Sequence, residues 1–107
     1  MQRGDIYSVV LPKELGKPRP ALIVQSELYH AATSLVVCPL TTKLLDAPHL
    51  RITVEPSKVN GITLHSQIMV DKIAAVPHER FGKKIGHVDE EIMQQVARSL
   101  IALLALH

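Results

Sequence analysis

The sequence is poor in cysteine and in aromatic residues. Cys38 is its only cysteine, so no internal disulfide can form, and because it lies in an apolar run we expect a buried, inert thiol. There is no tryptophan, and Tyr7, Tyr29 and Phe81 are the only aromatic rings among 107 residues, which leaves few rings to stack on nucleic-acid bases. The cysteine usage predicts a reducing, cytoplasmic setting.

The chain also lacks the residue patterns of metal and cofactor sites. Its six histidines are scattered, and no pair has the spacing of a metal site. There is no phosphate-binding glycine loop, no G-x-S-x-G nucleophile motif and no carboxylate cluster of the kind that two-metal nucleases use. We therefore expect no metal and no cofactor, and any cleavage of phosphodiesters should proceed without metal.

Long apolar segments are missing as well. The longest, residues 100–106, is too short to cross a bilayer, and residues 1–8 lack the apolar stretch of a signal peptide. The length and a hydrophobic content of 47% predict one globular domain, residues 1–107, with an aliphatic core and no membrane partner. The net charge of +2 is weak evidence for an anionic partner.

Much of the chain has the composition or the alternation of β-strands. The strand-like segments are residues 5–11, 20–25, 34–40, 50–55 and 62–76. The first two are separated by a turn-forming stretch and predict a β-hairpin. The third is continuously apolar, as in a central strand covered on both faces, and Pro39 is expected to end it. The last is either one long bent strand or two short ones.

Near the C-terminus the apolar period changes to that of a helix. One helical face carries Ile92, Val96, Leu100 and Leu103. Asp89 suits the N-cap, so we predict a helix from Asp89 to Leu106. Its last turns are apolar nearly all round, which predicts that they are deeply packed or buried against a second subunit, and we favour a dimer.

Arg19 stands between two prolines at the entrance of the second strand segment. Proline fixes its own φ and drives the preceding residue toward extended conformations, so the backbone at Arg19 is unusually stiff. A stiffly held cation is a candidate functional site. An arginine at a strand entrance is, however, more often a surface ion-pair partner, and these two alternatives stay open from the residues alone.

Five segments occur in order along nearly the whole chain and together resemble a known family. They are RGDIYSV (3–9), GKPRPALIVQS (16–26), VVCPLTTK (36–43), GITLHSQIMVDKI (61–73) and RFGKKIGHVDEEIMQQV (80–96). The ordered set resembles the MazF/PemK-type toxins of bacterial type II toxin–antitoxin modules. The resemblance implies a mainly β fold with helices (α+β), a small antiparallel SH3-like barrel with a C-terminal helix, and a homodimer.

The same resemblance implies a metal-independent, sequence-specific endoribonuclease that cleaves single-stranded RNA. It also implies a cognate antitoxin whose acidic C-terminal segment binds in the RNA groove. The family's catalytic arginine and threonine fall on Arg19 and Thr41. In such a reaction the ribose 2′-OH attacks the adjacent phosphate, which gives a cyclic phosphate and a free 5′-OH and needs a proton acceptor, a proton donor and a cation.

Arg19 suits the cation because its planar fork can donate to two phosphoryl oxygens, and Thr41 can donate to the phosphate or orient the 2′-OH. Several residues are candidates for the proton acceptor. Asp71 aligns with the aspartate that serves as base in one branch of the family, but it can also form a simple ion pair with Lys72. His65 is a second candidate, for which a structural role is the alternative, and the remaining titratable candidates are Glu14 and His78.

Seven cations are candidates for RNA binding: Lys13, Lys17, Lys43, Lys72, Arg80, Lys83 and Lys84. Residues 80–84 are either a patch that binds the RNA backbone or a charged turn. For Phe81 within them we favour a core residue of a turn over a stacking ring, and for the cations we favour RNA contact.

A second interpretation keeps the fold but not the reaction. The chain would then be a non-enzymatic toxin that binds a protein target such as DNA gyrase, as the CcdB branch does, or a decayed toxin that only binds its antitoxin. The CcdB branch acts through its C-terminal helix, and residues 99–107 do not resemble its aromatic-tipped tail. The pair of Arg19 and Thr41 separates the interpretations, since an enzyme needs it and a gyrase binder does not.

Overall fold

The computed structural model describes residues 1–12, 16–29 and 31–106, and within them the chain forms an antiparallel sheet of seven strands and one α-helix. The elements are β1 (Asp5–Val10), β2 (Pro18–Ile23), β3 (Ser34–Thr41), β4 (Arg51–Val54), β5 (Ser66–Met69), β6 (Ala74–Pro77), β7 (Phe81–His87) and α1 (Glu90–Leu103). The strand order is β4-β5-β3-β2-β1-β7, and β6 pairs with β3 off this path. The expected mainly β fold with a C-terminal helix is confirmed.

Alternation along the strands divides the core into two apolar clusters, one on each face of β2. The first cluster includes residues of α1 and consists of Ile6, Leu22, Val24, Cys38, Leu40, Ile52, Val54, Ile62, Ile68, Val70, Val88, Met93 and Val96. The second cluster consists of Val9, Ala21, Ile23, Leu35, Val37 and Val76, with Tyr7, Leu11 and Phe81 packed against it. Because successive side chains of a strand point to opposite faces, odd-numbered residues of β2 face the second cluster.

Two prolines lie inside β2, where their missing N–H groups limit which strands can pair. The Val24 N–H donates to the Val36 carbonyl (3.1 Å), which shows that the even-numbered backbone groups along β2 face β3. Pro18 and Pro20 share that parity, so neither can donate to β3. The pairing between β2 and β3 accordingly ends at Ala21.

Pro39 lies inside β3, and the prediction that it ends this strand is wrong, because β3 continues to Thr41. The odd-numbered backbone groups of β3 face away from β2. On that side β3 pairs with β6 up to Val37 and with β5 from Leu40 onward. Pro39 falls between the two partners, where no neighbouring strand needs its N–H. This proline therefore marks a change of partner along the strand.

Two further segments refine or correct the sequence predictions. Residues 62–76 contain two short strands, β5 and β6, separated by a 3₁₀ turn at Val70–Lys72, so the second of the two alternatives is confirmed. The prediction of a charged turn at residues 80–84 is wrong, because Phe81 begins β7 and pairs with Val9 of β1. The lysines and glycines of β7 interrupt the alternation of apolar residues by which a strand is recognised in a sequence. The strand is evident only from its backbone pairing with β1.

The start of α1 agrees with the prediction, and its end comes earlier. The Asp89 carboxylate accepts a hydrogen bond from the Ile92 N–H (2.9 Å), which confirms Asp89 as the N-cap. The helix ends at Leu103 and not at Leu106. Ala105 has a positive φ of 55°, a left-handed conformation that cannot continue an α-helix.

The last turns of α1 leave apolar side chains exposed. Nearer its start, Met93 and Val96 are buried in the first cluster. At its end and in the residues that follow it, the exposed fractions are 43% for Ile101, 40% for Leu103, 49% for Leu104 and 67% for Leu106. Of the two predicted alternatives, deep packing within the chain is wrong. An exposed apolar surface of this kind is typical of an interaction site.

Cys38 is fully buried in the first cluster, and burial raises the pKa of its thiol to about 12. The thiol therefore stays protonated at neutral pH, where only the thiolate is a good nucleophile. The expected burial of this cysteine is confirmed. Among the residues that the structure describes, no helix has the length and apolar character needed to span a membrane.

The backbone of β7 packs directly against the turn at Asn60. A Cβ at Gly86 would lie 2.4 Å from the Asn60 carbonyl carbon, and a backbone atom cannot easily move aside. At Gly82, in the same strand, the nearest atom would be the Ser8 carbonyl oxygen at 3.3 Å. Glycine is therefore a packing requirement at position 86 and a much weaker one at position 82.

We expect Gly86→Ala to lower the free energy of unfolding by about 1–3 kcal/mol, the usual cost of overpacking. The matched control Gly82→Ala should change it by about 0.5 kcal/mol or less. Urea unfolding followed by circular dichroism measures both values. Equal stabilities of the two variants would contradict the close backbone contact at Asn60.

Candidate active site

Arg19 and Thr41 come to the same level on neighbouring strands. The register of β2 and β3 pairs Ala21 with Pro39, and two residues further along it places Arg19 level with Thr41. Side chains that are level on adjacent strands point to the same face of a sheet. Val9, which pairs with Arg19 from β1, belongs to the second cluster, so Arg19 and Thr41 lie at the rim of that cluster.

Pro20 opens the sheet beside Arg19. Because Pro20 has no N–H to donate to β3, the hydrogen-bond ladder that would hold β2 and β3 together stops at this level. The backbone of Arg19 faces β1 instead, where the residue pairs with Val9. Arg19 is thus fixed to β1 on one side, is half-buried, and borders an opening of the sheet on the other side.

The Thr41 hydroxyl is held at the start of a tight turn. Its Oγ1 accepts a hydrogen bond from the Lys43 backbone N–H (3.1 Å). A hydroxyl whose oxygen accepts a bond still has its own proton to donate, so Thr41 can donate to an anion. Lys43 is exposed in the same turn. The turn therefore presents a hydrogen-bond donor and a cation together.

Gln67 on β5 is a buried polar residue that the sequence analysis did not single out. It pairs with Thr41 in the register of β3 and β5. Its Nε2 donates to the Leu45 carbonyl (3.0 Å), and its Oε1 accepts a bond from the Leu45 N–H (2.9 Å). The two residues are 22 positions apart, so no local pattern could have identified the contact.

A cleft of about 620 Å³ lies next to the strand end that carries Thr41. Its walls include Pro39, two residues before Thr41, and also Asp71 and Lys72 from the 3₁₀ turn between β5 and β6. Pro39 points to the same face as Thr41 because both are odd-numbered residues of β3. The cleft therefore adds a carboxylate and a second lysine to the neighbourhood of Arg19 and Thr41.

Asp71 forms an ion pair with Arg51, a residue that the sequence analysis did not single out. Among the described residues, this ion pair takes the place of the one that the sequence suggested between Asp71 and Lys72. The Arg51 Nε lies 3.1 Å from Asp71 Oδ1, and its terminal nitrogen donates to Oδ2 (3.3 Å). The side chains are 10% and 26% exposed, respectively. A two-point pair fixes the carboxylate firmly and leaves the remaining lone pairs of its oxygens for other donors.

The other candidate proton acceptors lie elsewhere. His65 Nε2 is 3.0 Å from Glu55 Oε1, and both side chains are exposed. His78 Nε2 is 2.7 Å from the Ala32 carbonyl. Glu14 lies outside the described residues. In the described part of the chain, no three His, Cys, Asp or Glu side chains come together as a metal site.

Most of the candidate RNA-binding cations are exposed to solvent. These are Lys17, Lys43, Lys72, Arg80, Lys83 and Lys84. The Lys84 Nζ lies 3.4 Å from the Asp5 carboxylate at the start of β1, so this lysine already has an anionic partner. Lys13 lies outside the described residues. The turn that follows Thr41 and the cleft each contribute one exposed lysine.

Phe81 packs as a core residue would. Its ring is half-buried against the second cluster and meets the Tyr7 ring edge-on, with ring centroids 6.0 Å apart and an angle of 71° between the ring planes. Such edge-to-face contacts stabilise aromatic pairs. The geometry favours the core role of Phe81 over a role in stacking on bases.

Comparison with known proteins places the chain among bacterial toxins. A family model for the PemK-like, MazF-like toxin of type II toxin–antitoxin systems matches residues 2–104. The probable endoribonuclease MazF of Mycolicibacterium smegmatis is 38% identical over 107 residues, which cover 99% of this chain and 98% of that protein. Endoribonuclease EndoA of Bacillus subtilis is 30% identical over 111 residues, which cover 99% of this chain and 96% of that protein.

A solved structure has the same fold. It is an endoribonuclease in complex with its cognate antitoxin from a mycobacterial species, and it matches with a TM-score of 0.84 at 23% identity, covering 100% of this chain and 97% of that one. The family model spans nearly the whole sequence, and the two curated relatives are aligned over almost their full length. The chain therefore belongs to the PemK-like, MazF-like toxin family of type II toxin–antitoxin systems.

Proposed function

We propose that this endoribonuclease toxin cuts single-stranded RNA by attack of a ribose 2′-OH on the adjacent phosphate, without a metal. Its family and its curated relatives make it an endoribonuclease. The observation that supports this mechanism is the alignment of Arg19 and Thr41 at one level of the sheet, on one face and beside a cleft. The products would carry a 2′,3′-cyclic phosphate and a free 5′-OH.

In this mechanism Arg19 and Thr41 bind the phosphate from two strands. The guanidinium donates to two phosphoryl oxygens and offsets the charge that develops as the phosphorus becomes five-coordinate. The Thr41 O–H, which the bond from Lys43 leaves available, donates to the same phosphate or orients the 2′-OH. Exposed cations such as Lys43 and Lys72 attract the RNA backbone toward the cleft.

We propose Asp71 as the proton acceptor for the 2′-OH. Among the candidate proton acceptors that the structure describes, Asp71 is the one that lines the cleft. Arg51 orients its carboxylate with two hydrogen bonds. His65 is assigned a structural role in its exposed pair with Glu55. This assignment gives each catalytic group a distinct position: a cation on β2, a hydrogen-bond donor at the end of β3 and a proton acceptor in the turn before β6. As the P–O5′ bond breaks, the leaving 5′-oxygen takes its proton from water.

The proposed partners follow from the family. A mycobacterial relative was solved with its cognate antitoxin, and we propose that an antitoxin with an acidic C-terminal segment occupies the same basic surface as RNA in this protein. We place the toxin in the cytoplasm, where messenger RNA is available and where a buried, unpaired cysteine is expected.

Arg19→Ala should lower the cleavage rate by about 100-fold or more, the scale of losing a donor that stabilises the transition state. Purified protein is incubated with a long single-stranded RNA of mixed sequence in the presence of EDTA, and the 5′ ends of the fragments are mapped. We expect cuts at one short recurring motif with wild type and almost none with Arg19→Ala.

Arg98→Ala, which removes an exposed arginine of α1, is the matched control and should cut like wild type. A folded Arg19→Ala protein with a normal rate would remove Arg19 from the mechanism. Cleavage that appears only when the EDTA is replaced by a divalent ion would contradict a metal-free reaction. A folded wild type that makes no cuts would favour a toxin that binds a protein target or only its antitoxin.

Asp71→Asn should lower the cleavage rate by about 100-fold or more, because general-base catalysis typically contributes about 10²–10⁴-fold. His65→Ala should leave the rate nearly unchanged, since His65 lies in an exposed pair away from the cleft. Single-turnover rates of the two variants and of wild type measure both effects. The reverse order of the two effects would transfer the role of acceptor to His65.

We also propose that the exposed apolar end of α1 forms the contact between two copies of the chain. The side chains of Ile101 and Leu104 are nearly half exposed in the isolated chain. Burial of apolar area of this kind drives the association of symmetric dimers. The absence of a covering element within the described residues leaves this face for a second subunit.

Ile101→Glu should convert the dimer into a monomer, because the new carboxylate would have to be buried in an apolar contact. Gln94→Glu, at another exposed position nearer the start of α1, is the matched control and should leave the dimer intact. Light scattering coupled to size-exclusion chromatography gives the mass of each variant. A dimeric Ile101→Glu protein would show that the subunits meet elsewhere.

A further inference from the structure

The Gln67 side chain forms a two-point contact with the backbone of the segment that follows Thr41. Its amide donates to the Leu45 carbonyl (3.0 Å) and accepts from the Leu45 N–H (2.9 Å). In an antiparallel sheet, two residues that face each other can exchange two backbone hydrogen bonds, and the Gln67 side chain forms an equivalent pair with the backbone of Leu45. Gln67 is only 7% exposed, so the bonds are shielded from competing water.

The segment from Thr41 to Leu45 is therefore held at both ends. At one end Thr41 pairs with Gln67 in the β3–β5 ladder, and its Oγ1 accepts the bond from the Lys43 N–H (3.1 Å). At the other end the Gln67 side chain holds Leu45. One residue of β5 thus fixes the segment through its backbone and through its side chain.

We propose that Gln67 is a positioning residue of the active site, which holds residues 41–45 so that the Thr41 hydroxyl and Lys43 meet the phosphate in the geometry that the reaction needs. This inference rests on the proposed function. Gln67 itself contacts Leu45 and acts through it. A misplacement of a reacting group by about 1 Å can cost about 100-fold in rate, so a clamp on this segment affects the chemical step strongly.

The choice of glutamine at this position supports a clamp. A buried amide is destabilising unless its polar groups are bonded, and an aliphatic side chain would fill the same site without that requirement. The Gln67 amide nitrogen and oxygen both form hydrogen bonds with Leu45. No buried side-chain polar atom of the described residues lacks a hydrogen-bond partner. The amide therefore serves to fix the segment, which is otherwise exposed at Lys43, Leu44 and Leu45.

The first test is single-turnover cleavage by Gln67→Leu, which keeps the size of the side chain and removes both bonds. We expect the rate constant to fall by about 10–100-fold. Affinity for the same RNA carrying a 2′-deoxy group at the cut site should fall much less. Thr53→Val is the matched control, because Thr53 pairs with Gln67 from β4 and is exposed, and it should cleave like wild type.

A readout without cleavage accompanies this test. Hydrogen exchange of the Leu45 amide should become faster in Gln67→Leu and stay unchanged in Thr53→Val. A purely structural role would lower the melting temperature of Gln67→Leu but leave the rate constant of the folded protein at the wild-type value, and that result would overturn the proposal.

Gln67→Glu provides a second variant if Gln67→Leu does not fold. A protonated carboxyl can donate to the Leu45 carbonyl and accept from its N–H, whereas the carboxylate repels that carbonyl. The ratio of mutant to wild-type rate should therefore rise as the pH falls through the pKa of the new carboxyl, which burial raises. A ratio that does not change with pH would overturn the positioning role.

The outcomes for the proposed function and for Gln67 are distinguishable. If wild type cuts RNA and Gln67→Leu cuts equally fast, only the positioning role is wrong. If folded wild type cuts no RNA at all, the proposed function is wrong, and the role of Gln67 is wrong with it.

Discussion

The structure depends on a change of hydrogen-bonding partners along β3. On one side this strand leaves β2 after Ala21 opposite Pro39, and on the other side it passes from β6 to β5. Each change coincides with a proline whose missing N–H would have faced the lost partner. The sheet thus opens at one level without leaving buried donors unsatisfied, and that level is where Arg19 and Thr41 face each other.

The two faces of the sheet differ in the size of their apolar clusters and in the polar groups near them. The first cluster, with α1 packed on it, contains most of the buried apolar side chains and supplies most of the stability. The second cluster is smaller and has polar and charged groups at its rim. The half-buried pair of Arg51 and Asp71 joins the start of β4 to the turn before β6, so it fixes one wall of the cleft even if its net contribution to stability is small.

The sequence was sufficient where the determining interactions are local. The first hairpin and the Asp89 cap follow from residues close together in the chain, and the family follows from the order of short local segments along it. Pro39 was misread because the effect of a strand proline depends on which neighbour its N–H would face, and that is a property of the sheet. Arg51 and Gln67 were missed because their partners lie 20 and 22 positions away. The Arg51 contact becomes visible only when β4 and β5 are paired, and the Gln67 contact only when β3 and β5 are paired.

The mechanism proposed above uses no metal, so it requires protein groups that are already in place to stabilise the phosphate transition state. Pro18 and Pro20 fix the backbone on both sides of Arg19, so the proposed binding of a phosphate there would cost little backbone entropy. On the opposite strand the Thr41 hydroxyl is held by Lys43, and the segment that carries both is held by Gln67. Both halves of the proposed site are thus held through the backbone. The arrangement of prolines around Arg19 and the buried amide of Gln67 are two solutions to the same requirement.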